Sequence, residues 1–316
     1  MRLLLRLLAG LLVLAATAAA GWWFLLRPSS GGPGPQSRAG PPASAGPVLS
    51  TTVVRPGRPP SQDCSGPLAY AVPAALNATS LRQVEWAPFR HPERGWEVYA
   101  PQVAREVATV CPPDSAGFAS ALAGWERRKG RPADGVLSTA DFEVMKNAWY
   151  ARRPFVAASR GGGCPPARDP ATLVSGEPGE GYGGEILQLK PEALSALRRM
   201  VAAARAEVPE IAADPQALQV FSSYRGPDEA AARCADGGCG TATRARCSAH
   251  QTGLAVDLVV GAAPGHRVDS SDDANRLHMS RTATYRWLVA NASRFGFENY
   301  VFEPWHWEYV GPVAGP

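Results

Sequence analysis

The sequence predicts an α+β domain in its C-terminal half, preceded by a smaller, mainly helical module. Three observations carry that prediction. Residues 254–260 are apolar apart from Asp257, which reads as a buried strand, and residues 218–222 read as a second one. Residues 191–208 and 281–294 instead repeat their apolar positions at helical spacing. Two short strands flank residues 303–306, the second running over 306–310. Strands and helices in this order favour a small antiparallel sheet with a functional site on one face and helices packed on the other.

Upstream of this domain, Arg2 and Arg6 precede a charge-free run over 7–26 that Arg27 closes, and about 20 apolar residues suffice to cross a bilayer. Ala18-Ala19-Ala20 before Gly21 resembles a signal-peptide cleavage site. The apolar run continues past it through Trp22, Trp23 and Phe24, so residues 1–27 read as an uncleaved anchor that exports the rest of the chain. Residues 28–62 are rich in Pro, Gly and Ser and read as a solvated linker. Within 63–160, a helix over 118–130 leads through Asp134-Gly135-Val136 to a second helix ending near Trp149. Residues 161–184, with Gly161-Gly162-Gly163 and a Gly/Glu-rich stretch, are the expected hinge before a domain at 185–313.

Cysteine usage agrees with export. Cys64, Cys111, Cys164, Cys234, Cys239 and Cys247 form an even set, as disulfides in an oxidising compartment require. The expected pairs are Cys64 with Cys111 and Cys164 with one of the later three. A structural zinc held by Cys234, Cys239, Cys247 and His250 is the alternative, although the usual Cys-x-x-Cys knuckle is missing.

The chemistry lies in two motifs. Ser248-Ala249-His250-Gln251-Thr252-Gly253-Leu254-Ala255-Val256-Asp257 supplies an imidazole and a carboxylate, and Glu303-Pro304-Trp305-His306 supplies a second of each. A catalytic zinc takes three protein ligands and leaves its fourth position to water, lowering the water's pKa to about 7. His250, Asp257 and His306 are the candidate ligands and Glu303 the candidate general base. Residues seven apart on a straight strand face opposite sides, so His250 and Asp257 share a metal only if the chain turns, and Gly253 is the natural turning point. Pro304 keeps Glu303 and His306 out of a helix interior. By strand alternation Glu308 shares the face of His306, where it would orient a ligand or Arg225, attract a positively charged part of a substrate, or stand as a surface carboxylate.

These motifs resemble those of the zinc D-alanyl-D-alanine carboxypeptidases and dipeptidases of peptidase family M15, the VanY-like branch above all, over roughly residues 185–313. Ser222-Ser223-Tyr224-Arg225 resembles the family's Ser-x-Tyr-Arg segment, and Thr284 to Leu288, Asn291-Ala292 and Phe295-Gly296-Phe297 resemble the helix and turn before its catalytic Glu. The resemblance implies an M15/hedgehog-like fold, zinc on His250, Asp257 and His306, Glu303 as base, and substrate contacts from Arg225 and Ser248. Arg225 would either stabilise negative charge at the attacked carbonyl or clamp the substrate's terminal carboxylate; Ser248 is otherwise a turn hydroxyl. The family often has a basic residue where this chain has Glu308. The implied substrates are peptidoglycan stem peptides ending in D-alanine. Cleavage of an internal stem or cross-bridge bond, and zinc-containing wall binding without catalysis, are the other readings. Residues 118–149 resemble the core of a peptidoglycan-binding helical module, or a generic helical hairpin.

Composition narrows the partners. The formal net charge is +4, with a pI near 8.8, mildly favouring an anionic wall or membrane surface. Basic residues are scattered and no phosphate-binding loop occurs, which argues against nucleic-acid binding. His91, His266 and His278 fall outside the motifs and read as surface residues.

Overall fold

The computed structural model describes residues 63–160, 163–164, 166–235 and 247–311. The expected anchor at 1–27 and linker at 28–62 lie outside the described residues. Among the described residues no helix is long and apolar enough to cross a membrane.

The upstream module holds the hairpin β1 (Glu85–Trp86) and β2 (Glu93–Arg94) among helices Ala71–Gln83, Ala100–Glu106, Ala116–Arg128 and Thr139–Arg152. The last two are the helices expected around 118–130 and up to Trp149. The first two occupy a stretch for which the sequence predicts no element. Each expected helix starts on a serine: Ser115 accepts from the Phe118 amide, and Ser138 forms a capping box with Asp141. The Asp-Gly-Val turn between them is clamped by buried polar groups. Glu126 accepts from the Gly135 amide at 2.9 Å, while Asn77 donates to the Gly135 carbonyl at 2.8 Å and accepts from Leu137. Gly135 has φ +73°, and a Cβ there would stand 2.6 Å from the Ala119 carbonyl oxygen, so both conformation and space demand glycine.

The C-terminal part is built on strands β3 (Val174–Ser175), β4 (Gln188–Leu189), β5 (Val220–Ser222), β6 (Ala255–Leu258), β7 (Phe297–Asn299) and β8 (His306–Tyr309). β3 pairs with β4, and the other four form one antiparallel sheet in the order β5-β6-β8-β7. Alternation sorts the side chains. Val256, Leu258, Trp307 and Tyr309 join the core built by Leu194, Leu197 and Met200 of helix Pro191–Glu207 and by Tyr285 and Leu288 of helix Ala283–Asn291. Asp257, His306 and Glu308 take the opposite face. That face is covered as well, since every residue of β6 and β8 is buried. Burial on both faces accounts for the almost unbroken apolar run of residues 254–260.

The helix expected at 281–294 is present as Ala283–Asn291, continued by a 3-10 turn over Ala292–Phe295, and only its start differs. One helix, Asp273–Arg281, ends at Thr282, whose extended backbone and hydroxyl cap the next helix, Ala283–Asn291, by accepting from the Tyr285 amide. A threonine hydroxyl that satisfies a free N–H at a helix start is enough to break an otherwise continuous apolar period.

The segment 161–184, expected to be a hinge, is fastened over its described residues. Cys164 bonds to Cys247, the Arg168 amide donates to the Gln251 carbonyl at 3.0 Å, and the Tyr224 hydroxyl donates to the Arg168 carbonyl at 2.8 Å. Ladder pairing of β3 with β4 then ties the segment to the adjoining domain. Cys64 bonds to Cys111 as expected. Because Cys247 is spent on Cys164, it has no thiolate to give to a four-ligand structural zinc with Cys234, Cys239 and His250. Cys239 and the side chain of Cys234 lie outside the described residues.

The core of the upstream module takes in residues of the C-terminal part. Val301 and Phe302, on the turn between β7 and β8, pack with Phe89, Tyr99 and Phe142 of the module. Fully burying a phenylalanine contributes about 1.5–3 kcal/mol. Arg276 reinforces the junction from helix Asp273–Arg281. It is fully buried, stacks 3.9 Å over the Phe302 ring, donates to the Phe302 carbonyl and the Tyr99 hydroxyl, and lies 3.4 Å from Glu93. The strand turn that carries Glu303 is therefore held from both sides.

Candidate active site

Each side chain of the site is placed by a local device. The Ser248 hydroxyl accepts from the His250 amide at 3.3 Å and caps the single turn Ala249–Thr252. Gly253 ends that turn at φ +65°, reversing the chain so that His250 faces back towards Asp257, as the seven-residue spacing requires. A Cβ on Gly253 would lie 2.8 Å from Leu173 Cδ2. Gly253→Ala is accordingly expected to lower unfolding free energy by about 1–2 kcal/mol, the left-handed cost of a side chain. Chemical denaturation checks this, and an unchanged midpoint would show that the turn tolerates a side chain.

His250 points Nδ1 at the Ser223 carbonyl oxygen, 2.6 Å away. A carbonyl can only accept, so Nδ1 carries the proton and Nε2 keeps its lone pair. That Nε2 stands 3.2 Å from Asp257 Oδ2, and the other carboxylate oxygen, Oδ1, stands 2.8 Å from His306 Nδ1. The two imidazole rings are 5.1 Å apart, edge to face. All three residues are buried. One donor atom from each lies within 4.8 Å of the other two, and no other such cluster of three occurs among the described residues.

This donor set fits a zinc ion. Ligands at about 2.0–2.1 Å from a tetrahedral zinc stand roughly 3.3 Å from one another, close to the spacings found here. A ring locked by a backbone carbonyl at its far nitrogen is the usual arrangement of a metal-binding histidine. Two neutral donors and one anion also leave net positive charge on a divalent ion.

Charge is distributed accordingly. Burial disfavours an Asp257 anion, yet the hydrogen bonds and charges of His250 and His306 outweigh it and hold the carboxyl well below the usual range. Burial lowers the pKa of His250. It also opposes charge on His306, but Asp257 and Glu308 on its two sides raise that imidazole to about 9 without a metal.

Glu303 sits at the turn between β7 and β8. Asn299 pins this turn by donating to the His306 carbonyl at 2.8 Å and the Glu303 carbonyl at 3.2 Å, and the His306 amide donates to the Glu303 carbonyl. Although the residue is partly exposed, protein atoms crowd its carboxyl. Desolvation raises it to about 7 against the pull of His306, with Arg153 and Arg225 also acting on it. A carboxyl poised there exchanges protons near neutral pH.

Arg225 is buried beside the cluster, with Nη2 3.9 Å from Asp257 Oδ2 and Nη1 3.5 Å from the Ser248 hydroxyl. Its other contacts are the Ser222 hydroxyl and, at 3.4 Å, Glu229. The guanidinium is thus brought to the candidate metal position, where both expected roles remain available to it. Ser248 serves the turn and touches Arg225.

Residues 186–312 match the family model described as VanY, D-alanyl-D-alanine carboxypeptidase. This segment is similar to the VanY-like M15 peptidases. No curated protein matches the chain.

Within the VanY-like domain the structure brings His250, Asp257, His306, Glu303, Arg225 and Ser248 together. Glu308 shares the face of His306, with Oε1 3.5 Å from His306 Nε2, but it is neither a surface group nor open to a charged substrate. It is 1% exposed, and Arg153 and the Phe155 amide occupy its oxygens. His91, His266 and His278 stay outside the cluster; His91 pairs with Asp273, and His266 lies near Asp272.

Sequence reasoning missed the residues that surround the candidate ligands. Arg153 comes from the module upstream of the VanY-like domain, as does Tyr150, whose phenol is coupled to Tyr300. The Tyr300 ring in turn lies edge-on to His306 at 6.1 Å. Arg153 precedes Pro154 and looks like any helix-terminal basic residue. Its partner is 155 positions away, so no local pattern marks it. Ser223 acts through its carbonyl, which side-chain motifs cannot report.

Proposed function

We propose that the chain is a zinc-dependent D-alanyl-D-alanine carboxypeptidase that trims peptidoglycan stem peptides outside the cytoplasm. The observation that carries the proposal is the convergence of His250, Asp257 and His306 on one point, with the Glu303 carboxyl raised to about 7 beside them. Zinc held by His250, Asp257 and His306 would supply Lewis-acid polarisation of a peptide carbonyl and acidify the attacking water. Glu303 takes a proton from the attacking water and returns it to the leaving amine. Arg225 places a fixed cation where negative charge grows, or grips the terminal carboxylate of the substrate.

Carboxypeptidase activity is favoured over cleavage of internal bonds because the negative charge of Glu308, which would oppose a free substrate carboxylate, is matched by Arg153. The presence of Glu303 favours an enzyme over a metal-containing binding protein. Export is supported by the two disulfides and by the apolar run over 7–26, which would anchor the chain in the membrane. The helical module upstream would assist by contacting the wall.

The test is to incubate the zinc-loaded protein with a stem pentapeptide ending in D-Ala-D-Ala and with its C-terminal amide, and to identify the products by mass. Release of one D-alanine from the free acid is expected, and cleavage only at internal bonds would reverse the reading. The profile of kcat/KM against pH should show an acid limb with its midpoint at or below about 7. Activity rises with pH through this limb because the base acts as the anion, which a nearby metal dication stabilises further. In residual activity of Glu303→Ala that limb should disappear, and its persistence would assign the limb to another group.

A further inference from the structure

The upstream module reaches the candidate metal centre through one buried chain of charges. Arg153 stands between helices Thr139–Arg152 and Pro154–Ala158, in extended conformation, as a residue before proline prefers. This turns its side chain out of the helix line and over the ring of Tyr300 at 4.4 Å. Its Nε donates to Glu308 Oε1 at 2.6 Å, its Nη2 contacts the same oxygen, and the Phe155 amide donates to Oε2 at 3.1 Å. Glu308 Oε1 also lies 3.5 Å from His306 Nε2, an ion-pair contact to the nitrogen remote from Asp257, which is buried without a formed hydrogen bond. Both side chains of the ion pair are nearly inaccessible, at 7% and 1%.

An ion pair so deeply buried is a poor source of stability, because desolvation offsets its attraction and an apolar pair of similar volume does as well. Its geometry gives it another use. A metal-binding imidazole is held in tautomer and orientation when its far N–H donates to a carboxylate, and His306 has such a carboxylate on its far side. Resting on the reading of His250, Asp257 and His306 as zinc ligands, we infer that Arg153 and Glu308 are positioning residues for His306. Arg153 fixes the Glu308 carboxylate, Glu308 fixes the Nε2–H tautomer, and Nδ1 is left to the metal. The helical module, on this inference, completes the metal centre as well as packing beside it.

Zinc affinity tests the chain without reference to activity. The dissociation constant is measured by competition with a chromogenic chelator in the full chain, in Glu308→Gln, Arg153→Met and Arg153→Lys, and in Arg152→Met as control. Arg152 lies at the same junction but pairs with Glu298, 3.5 Å away, which touches no candidate ligand. Glu308→Gln and Arg153→Met should weaken zinc binding about 10–100-fold, the range for lost outer partners of metal ligands. Arg153→Lys, keeping the charge but not the fork, should fall between. Arg152→Met should stay within about twofold of the parent. If the parent binds zinc and Glu308→Gln binds it equally well, this inference fails while the metal site stands. Equal weakening in Arg152→Met and Arg153→Met would reduce the effect to docking of the module and overturn it too. A parent that binds no zinc would overturn both readings. If Arg153→Met does not fold, Glu308→Gln, almost isosteric and still able to accept from Phe155, decides the question.

Discussion

Glu303→Ala is expected to retain nearly one zinc per chain while hydrolysis of a D-Ala-D-Ala substrate falls at least about a hundredfold, since general-base catalysis typically contributes 10²–10⁴. The separation of the two effects is what the structure demands. Glu303 is outside the ligand cluster, and its backbone carbonyl, not its side chain, receives the hydrogen bonds that hold the turn. Removing the carboxylate should therefore leave His306 where it is. The loss should appear in kcat more than in KM, because the proton moves in the transition state. Zinc analysis alongside steady-state kinetics checks both halves, and full activity with zinc bound would sink the assignment of the base.

His306→Ala is expected to fail in the opposite way, losing the metal first. With one of three donors gone, zinc affinity should drop by more than the 10–100-fold typical of a lost outer partner, and activity should vanish at ordinary zinc concentrations. Excess zinc should restore some of it. The same substitution removes the imidazole that stands between two buried carboxylates, Asp257 at 2.8 Å and Glu308 at 3.5 Å. Asp257 would keep His250 at 3.2 Å and Glu308 would keep Arg153, so the sheet should survive. Circular dichroism near that of the parent, with a chelator-competition constant far weaker, is the expected pair of results. Parent-like zinc affinity would remove His306 from the ligand set. Chelation of the unmodified chain should reproduce the loss of activity, with recovery on adding zinc back.

The sequence by itself determined the local parts. Spacing in Ser-x-His-x-x-Gly-x-Ala-x-Asp and Glu-x-Trp-His picked out the residues that converge in space, the candidate donors and the candidate base, because one glycine at φ +65° and one proline are all that the local backbone needs to aim them. The same locality made the helices 116–128, 139–152 and 191–207 legible, the second through the Asp134-Gly135-Val136 turn that leads into it. Over 281–294 the period located the helix but not its first residue, because Thr282 caps Ala283–Asn291 and separates it from the helix before it.

Only the tertiary structure decided the rest. Which cysteine joins Cys164, that residues 166–184 are fastened to the domain, and that Phe302 belongs to the core of the upstream module all depend on contacts between distant segments. Glu308 shows why. Strand alternation correctly put it on the face of His306, but alternation cannot say what covers that face. The answer, Arg153 and the Phe155 amide, comes from a part of the chain about half its length away. A buried carboxylate needs partners wherever the fold can supply them, and the sequence around a residue records its own conformation and not the identity of its neighbours in space.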